Sequence, residues 1–161
     1  MGVSQNQIRA ARTADLPAVA ALYHRVWRET HAAAMPPAER EARDLAYFEA
    51  KLSVLPTNIL LLEDGDKLAG FAAWSGPILG QLFFDATWRG QGLARPLLMA
   101  AEREMARQGV VQAELHCLEG NIRARDFYER NGWRLDRTFA YPVRGGPGDD
   151  TRNYWAMIKP L

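Results

Sequence analysis

The stretch Trp88–Leu98, WRGQGLARPLL, joins two glycines to a helical pattern in which Leu93, Leu97 and Leu98 share a face. The free N–H groups at a helix start carry partial positive charge and usually recruit a capping side chain or a carboxylate. This first turn has no carboxylate, and Arg89 and Arg95 flank it instead. Converging N–H groups behind glycines, which let a ligand approach the backbone, bind anions. The chemistry on offer is capture of a phosphate-like group. A Walker loop needs Gly-Lys-Ser/Thr at the end of the turn, where this chain has Gly92-Leu93-Ala94. A dinucleotide fingerprint from Gly90 and Gly92 needs a third glycine where Arg95 stands, and it belongs after the first strand of a domain. Both readings fail on the residues.

A phosphate turn must be held between a strand and a helix. GQLFFDA precedes it as a strand, and a helix follows to about Gln108 with Leu93, Leu97, Leu98, Ala101 and Met105 inward. Upstream, QIRAA is a short strand. TADLPAVAALYHRVWRETHAAA is a helix, capped by Thr13 or Asp15, with Ala18, Leu22, Val26 and Trp27 as its apolar face. MPP breaks it. AEREARDLAYFEAKLSVL is a second amphipathic helix with Leu45, Phe48 and Leu52 on one side, ended by Pro56. NILLLEDG and KLAGFAAWSG read as a hairpin around Asp64-Gly65-Asp66. VVQAELHCL is a strand and NIRARDFYERNG a helix ending at Gly132. WRLDRTFAYPV and TRNYWAMIKPL close the chain around a glycine-rich surface loop, Arg144–Asp150. The order β-α-α-β-β-β-α-β-α-β-β predicts a layered α/β (α+β) fold over residues 1–161 as one domain. About seven strands form a mixed, mostly antiparallel twisted sheet with four helices. Crossovers through the third and fourth helices predict local parallel pairing.

Arg89-Gly90-Gln91-Gly92-Leu93-Ala94 matches R/Q-x-x-G-x-G/A, and so resembles the pyrophosphate turn of the GNAT superfamily of acyl-CoA-dependent N-acetyltransferases. LFFDATWRGQG resembles that family's fourth strand and the bulge that ends it. LHCLEGNIRARDFYERNGW resembles its second signature of strand, Asn, helix with Phe-Tyr, and Gly-aromatic. The order of elements is also the family's over nearly the whole chain. The resemblance implies transfer of acetyl from acetyl-CoA to a primary amine of a small molecule or peptide, by direct attack in a ternary complex, with no metal. A non-catalytic acyl-CoA-binding sensor or regulatory domain of the same fold is the competing reading.

By this resemblance the backbone from Gly90 through Gln91, Gly92 and Leu93 to Ala94 holds the CoA pyrophosphate, with Arg89 adding charge. Phe83 and Phe84 mark the strand end that binds the pantetheine arm through main-chain hydrogen bonds, their side chains serving as core. An N–H near Phe84 then faces the developing oxyanion. Asn121 caps the next helix and meets the pantetheine region, and Arg125 reaches a CoA phosphate. Tyr128 matches the family's proton donor to the departing thiolate: a phenol of pKa about 10 stays protonated at neutral pH, whereas a thiol lies near 8.5. An acceptor amine of pKa about 10.4 must lose a proton, at roughly 4–5 kcal/mol at pH 7. In the fifth strand His116 stands where some relatives carry a glutamate base. Glu114, one strand step away, Asp85, past the bulge, or water are the alternatives. The acceptor pocket implied by the first two helices and the central strand ends nominates Tyr23, Trp27, His31 and Trp74, with Trp27 also readable as core. No acidic cluster marks a polyamine substrate.

The bulk properties narrow the setting. The 161 residues carry a formal net charge of +1, so no basic field points to nucleic acid or to a membrane surface. The single cysteine, Cys117, leaves no intramolecular disulfide framework and fits a reducing cytoplasm. No signal pattern opens the chain, and no apolar run is long enough to span a bilayer. The three histidines have no metal-ligand spacing. Exposed closing strands give a homodimer a place to form.

Overall fold

In the computed structural model, which describes residues 6–53, 58–142 and 151–161, seven strands form one sheet in the order β1-β2-β3-β4-β5-β7-β6. They are β1 Asn6–Ala10, β2 Ile59–Asp64, β3 Lys67–Ser75, β4 Ile78–Phe84, β5 Gln112–Leu118, β6 Arg134–Pro142 and β7 Thr151–Pro160. Every neighbouring pair is antiparallel except β4 and β5, which run parallel across the crossover helix. The second expected parallel relation is indirect: β6 runs in the direction of β5, but β7 lies between them.

Helices cover both faces. α1 Leu16–Thr30 and α3 Leu45–Ser53 lie on one side, joined through α2 Pro37–Ala42, which buries no residue, and α4 Ala94–Arg107 and α5 Ile122–Arg130 lie on the other. β3 sits centrally and is buried on both faces, so it reads as a continuous apolar run rather than an alternating one. Its Phe71 and Ala73 pack with Val19, Leu22 and Val26 of α1, while Ala72 and Trp74 pack with Leu97, Leu98 and Met105 of α4.

Among the described residues the α-helices number one more than the expected four. The predicted second helix is two, because Arg43 leaves helical geometry (φ −92°, ψ 61°) and Asp44 accepts the Tyr47 N–H at 2.9 Å to start α3 afresh. α1 likewise stops at Thr30, and Ala32–Ala34 form a separate 3-10 turn ahead of the prolines. Asp15 caps the 3-10 turn Thr13–Asp15 by accepting the Arg12 N–H at 2.7 Å. The expected stop at Pro56 and the loop Arg144–Asp150 lie outside the described residues. No described helix is long and apolar enough to cross a membrane.

Candidate active site: a cleft between two parting strands

β4 and β5 pair only at Ile78↔Glu114 and Leu79↔Leu115, and then separate. Gly80 stands at the parting. The β3 register steps from Ala73↔Gln81 to Trp74↔Leu79, so Gly80 is an extra residue that bends β4 away from its neighbour. The bulge expected after Phe84 is therefore inside the strand. Beyond it, β5 keeps its partner β7, and the gap between β4 and β5 opens.

The hydrogen-bond alternation of β4 decides what faces that gap. Asp85 donates its N–H to Ala69 O of β3 at 2.9 Å. In an antiparallel ladder successive residues face opposite edges, so Phe83 faces β3 and the N–H and C=O of Leu82 and Phe84 face the gap. The Phe84 carbonyl accepts Arg89 Nε at 3.0 Å, and the Phe84 N–H is left pointing into the cleft.

Past β4 the chain makes a 3-10 turn, Ala86–Trp88, held by two side-chain bonds. Asp85 Oδ1 accepts the Thr87 N–H at 3.0 Å, and Trp88 Nε1 donates to Asp64 Oδ2 at 3.1 Å. Gly90 and Gly92 then both adopt φ 75°, the left-handed conformation that side chains disfavour, and a Cβ at either would meet nothing within 4 Å. The open side of this turn leads to the start of α4, whose Leu93 N-cap offers no side-chain bond and whose first turn has no acid.

These parts enclose a cleft of about 560 Å³, within the range of small-molecule sites. The end of α1 supplies Thr30 and His31, β4 supplies Phe83 and Phe84, and α5 supplies Asn121 and Tyr128. The charged residues lining it, His31 aside, are Arg89, Arg95, Arg123 and Arg130, with no carboxylate among them. Sequence reasoning missed Arg123 and Arg130. Their signal was helical spacing, since they share a face of α5 with Phe127.

The nominated residues separate by face. Asn121 caps α5 by accepting the Ala124 N–H at 3.2 Å and lines the cleft. Arg89 lines it too, but its guanidinium is spent on Phe84 O and on Glu29 Oε2 at 3.0 Å. Arg125 is turned away: it pairs with Glu129 at 2.8 Å and lies over the Trp155 ring at 4.7 Å. Tyr128 faces the cleft, packs edge-on against Trp133 at 6.1 Å, and its hydroxyl bonds to no described residue. Burial, then the neighbouring Cys117, pushes its phenol well above the usual tyrosine range. Burial also raises the Cys117 thiol to about 11, so it stays protonated.

His116 is not part of the cleft wall. Its Nε2 lies 2.9 Å from Glu114 Oε1, and its ring meets Phe139 at 4.8 Å on the face opposite α4. Glu114 is on that same face, two residues along, rather than a step off it. The bond from His116, against burial and with help from Arg137, holds the Glu114 carboxyl below its ordinary range. Asp85 is engaged as well. Burial raises its carboxyl, but the Thr87 amide and the Arg25 guanidinium outweigh that and lower it.

Of the four nominated acceptor residues, only His31 reaches the cleft. Tyr23 and Trp27 belong to the apolar face of α1, at 5% and 4% exposure, and pack on Phe48. The Tyr23 hydroxyl is used by Lys51 and Gln81 at 3.1 and 3.2 Å. Trp74 faces α4 and donates to Gln108 Oε1 at 3.1 Å, beyond the far end of that helix and roughly 20 Å from the glycine turn. The His31 ring stands 6.2 Å from Phe83, and Thr30 Oγ1 lies 2.6 Å from its Nδ1. Burial, then Arg43, lowers its pKa below the ordinary histidine value.

Known proteins share this architecture. A GCN5-related N-acetyltransferase from Rhodopseudomonas palustris superposes with a TM-score of 0.75 at 21% identity, over 100% of this chain and 99% of that one. The PaiA N-acetyltransferase of Thermoplasma acidophilum, solved with coenzyme A, gives 0.71 at 18% over 98% and 99%. YncA of Salmonella typhimurium, a putative acetyltransferase solved with acetyl-CoA, gives 0.71 at 20% over 98% and 95%. In sequence, YhfO of Bacillus subtilis (strain 168), an uncharacterized N-acetyltransferase, is 30% identical over 148 residues, covering 83% of this chain and 93% of its own length. The sequence model of the acetyltransferase (GNAT) family matches residues 17–133, from the start of α1 to the end of the second signature. The chain belongs to the GNAT acetyltransferase family.

Proposed function

We propose that this protein transfers the acetyl group of acetyl-CoA to a primary amine of a small molecule or peptide, within a ternary complex. One observation carries the reading. A free strand edge, an uncapped helix start and a wall of arginines without a carboxylate line the same cleft. An acyl donor with a pyrophosphate and a long amide-bearing arm matches that combination, and two of the structural neighbours were solved with coenzyme A or acetyl-CoA.

The chain's own residues divide the work. The N–H groups from Gln91 to Ala94 take the pyrophosphate oxygens at the start of α4. Arg95, Arg123 and Arg130 supply the positive field, the last two in place of Arg125. The gap-facing edge of Leu82 and Phe84 receives the amide-bearing arm as if it were an added strand. The Phe84 N–H then faces the carbonyl oxygen, where one preorganised donor contributes about 3–4 kcal/mol to the transition state. Tyr128 shares its proton with the developing thiolate. Its raised pKa keeps the proton in place across the working range, so the stabilisation comes from the hydrogen bond rather than from complete transfer.

The experiment pairs calorimetry with acetyl-CoA and a thiol-release assay over a panel of amines. Saturable binding with thiol release that depends on an amine is the expected result. Tight binding with no release for any amine turns the reading to a sensor of acyl-CoA. No binding overturns the placement of the donor.

A further inference from the structure

We propose that His31 is the base of this reaction, its Nε2 taking the proton that the acceptor amine must lose. The inference rests on the acetyltransferase reading and adds a residue to it. It starts from the proton count at Thr30. The hydroxyl oxygen lies 2.7 Å from the Val26 carbonyl oxygen, which can only accept, so the single hydroxyl proton goes there. The same oxygen lies 2.6 Å from His31 Nδ1 and has only lone pairs left to offer. With the hydroxyl proton on Val26 O, Nδ1 carries the ring proton and the lone pair of the neutral ring is on Nε2. Residue 30 of α1 then sets the tautomer of residue 31.

Position supports the same role. His31 and Tyr128 line one cleft but come from opposite layers: His31 from the end of α1, beside Phe83, and Tyr128 from α5, against the core on the α4 side. One group thus stands beside the path of the attacking amine and the other beside the departing thiolate. The groups around the imidazole keep it neutral. Arg43 approaches from the end of α2, Arg89 is tied to Glu29, Phe83 is apolar, and Arg95, Arg123 and Arg130 line the rest of the cleft. His116, by contrast, has its Nε2 bound to Glu114 outside the cleft wall.

The step balances within the chain. The acceptor ammonium gives one proton to Nε2, and its freed lone pair forms the N–C bond. The C–S bond breaks with the electron pair going to sulfur, and the second nitrogen proton passes through solvent to the thiolate, which Tyr128 holds by its hydrogen bond. His31 returns its proton to water, leaving the amide, the free thiol and a neutral imidazole.

Two measurements on the 161-residue chain test it. A long-range proton–nitrogen correlation spectrum at pH 7.5, assigned with His31→Gln, reads the tautomer: protonation at Nδ1 is expected, and protonation at Nε2 overturns the proposal. The pH dependence of kcat, with acetyl-CoA and the best amine of the panel, reads the role. His31→Ala is expected to lower kcat at pH 7 by about 10²-fold, to remove the acidic limb, to leave acetyl-CoA affinity near the parent value, and to recover with added imidazole. An unchanged limb in His31→Ala, or a limb lost in His116→Ala instead, overturns it. If the parent protein releases thiol with no amine, the acetyltransferase reading itself falls, a result distinct from any of these.

Discussion

Gly70 of β3 makes room for Phe84 of β4: a Cβ on Gly70 would stand 2.6 Å from the Phe84 ring and 2.6 Å from the Phe83 carbonyl oxygen. Its backbone is ordinary, so the glycine is there for space and not for conformation. The room it leaves sets where the end of β4, and with it the Phe84 N–H, lies along the cleft. Gly70→Ala should push that end outward. We expect a loss of about 1–3 kcal/mol in stability, the range for overpacking, with weaker acetyl-CoA binding. Thermal denaturation and calorimetry check the two together, and an unaltered affinity would detach Gly70 from the site.

At the glycine turn, conformation and function can be separated. Gly92 holds φ 75° with open space beyond it, so Gly92→Ala should cost about 1–2 kcal/mol of strain and little else. Gly92→Glu has the same strain but brings a carboxylate to an uncapped helix start, which favours α4 by a few tenths of a kcal/mol. The Glu variant should therefore melt no lower than the Ala variant and yet lose acetyl-CoA binding. Retained affinity in Gly92→Glu would move the pyrophosphate elsewhere.

Tyr128→Phe removes only the hydroxyl, which bonds to no described residue. Stability and acetyl-CoA affinity should stay close to the parent, while kcat falls by about 10²-fold. Because burial raises the phenol pKa, the protonated form persists beyond the ordinary tyrosine value of 10.0, so Tyr128 should place no alkaline limb below that pH. A pH–rate profile of parent and variant reads both effects.

Away from the cleft, Asp15 ties the start of α1 to the sheet. It accepts from Arg9 at 2.8 and 2.9 Å, while Arg9 also holds Glu63 of β2. The Arg9 bond, then the Arg12 N–H, hold the Asp15 carboxyl far below its ordinary 3.8. A depressed carboxyl stabilises the fold above its unfolded value and loses that contribution as pH falls through the folded one. Asp15→Asn should lower stability by about 1 kcal/mol at pH 7, with the gap to the parent closing below pH 3.8. Urea melts at pH 7 and pH 3 test the sign.

Much of this was legible along the chain. The seven strands, their order along the chain and the strand–glycine turn–helix unit follow from local patterns: apolar period, turn residues and caps. So does the glycine turn, since Gly90 and Gly92 stand between a strand pattern and a helix pattern. What periodicity missed was local competition. Asp44 accepting the Tyr47 N–H splits one expected helix into α2 and α3, because a side-chain oxygen offers the backbone an alternative to continuing the helix.

The roles of individual side chains were less legible, for a geometric reason. A motif places a backbone segment, but a face is chosen by what packs on it. Arg123 and Arg125 are two residues apart on α5, yet Arg123 lines the cleft while Arg125 lies over Trp155. Trp74 and Phe83 are both strand aromatics near the middle of the chain, yet Trp74 shares the α4 face of β3 with Ala72, while Phe83, opposite Phe71, packs on the α1 side.

The sequence by itself determined the fold, the resemblance that marks the family and a helix start without a capping carboxylate, because motifs, glycines, caps and apolar spacing act over a few residues. Only the tertiary structure decided which histidine lines the cleft. His116 and His31 are 85 positions apart, and their fates turned on one long-range event. β4 leaves β5 at Gly80, opening the gap beside the end of α1, while His116 stays in the β5 ladder with Glu114.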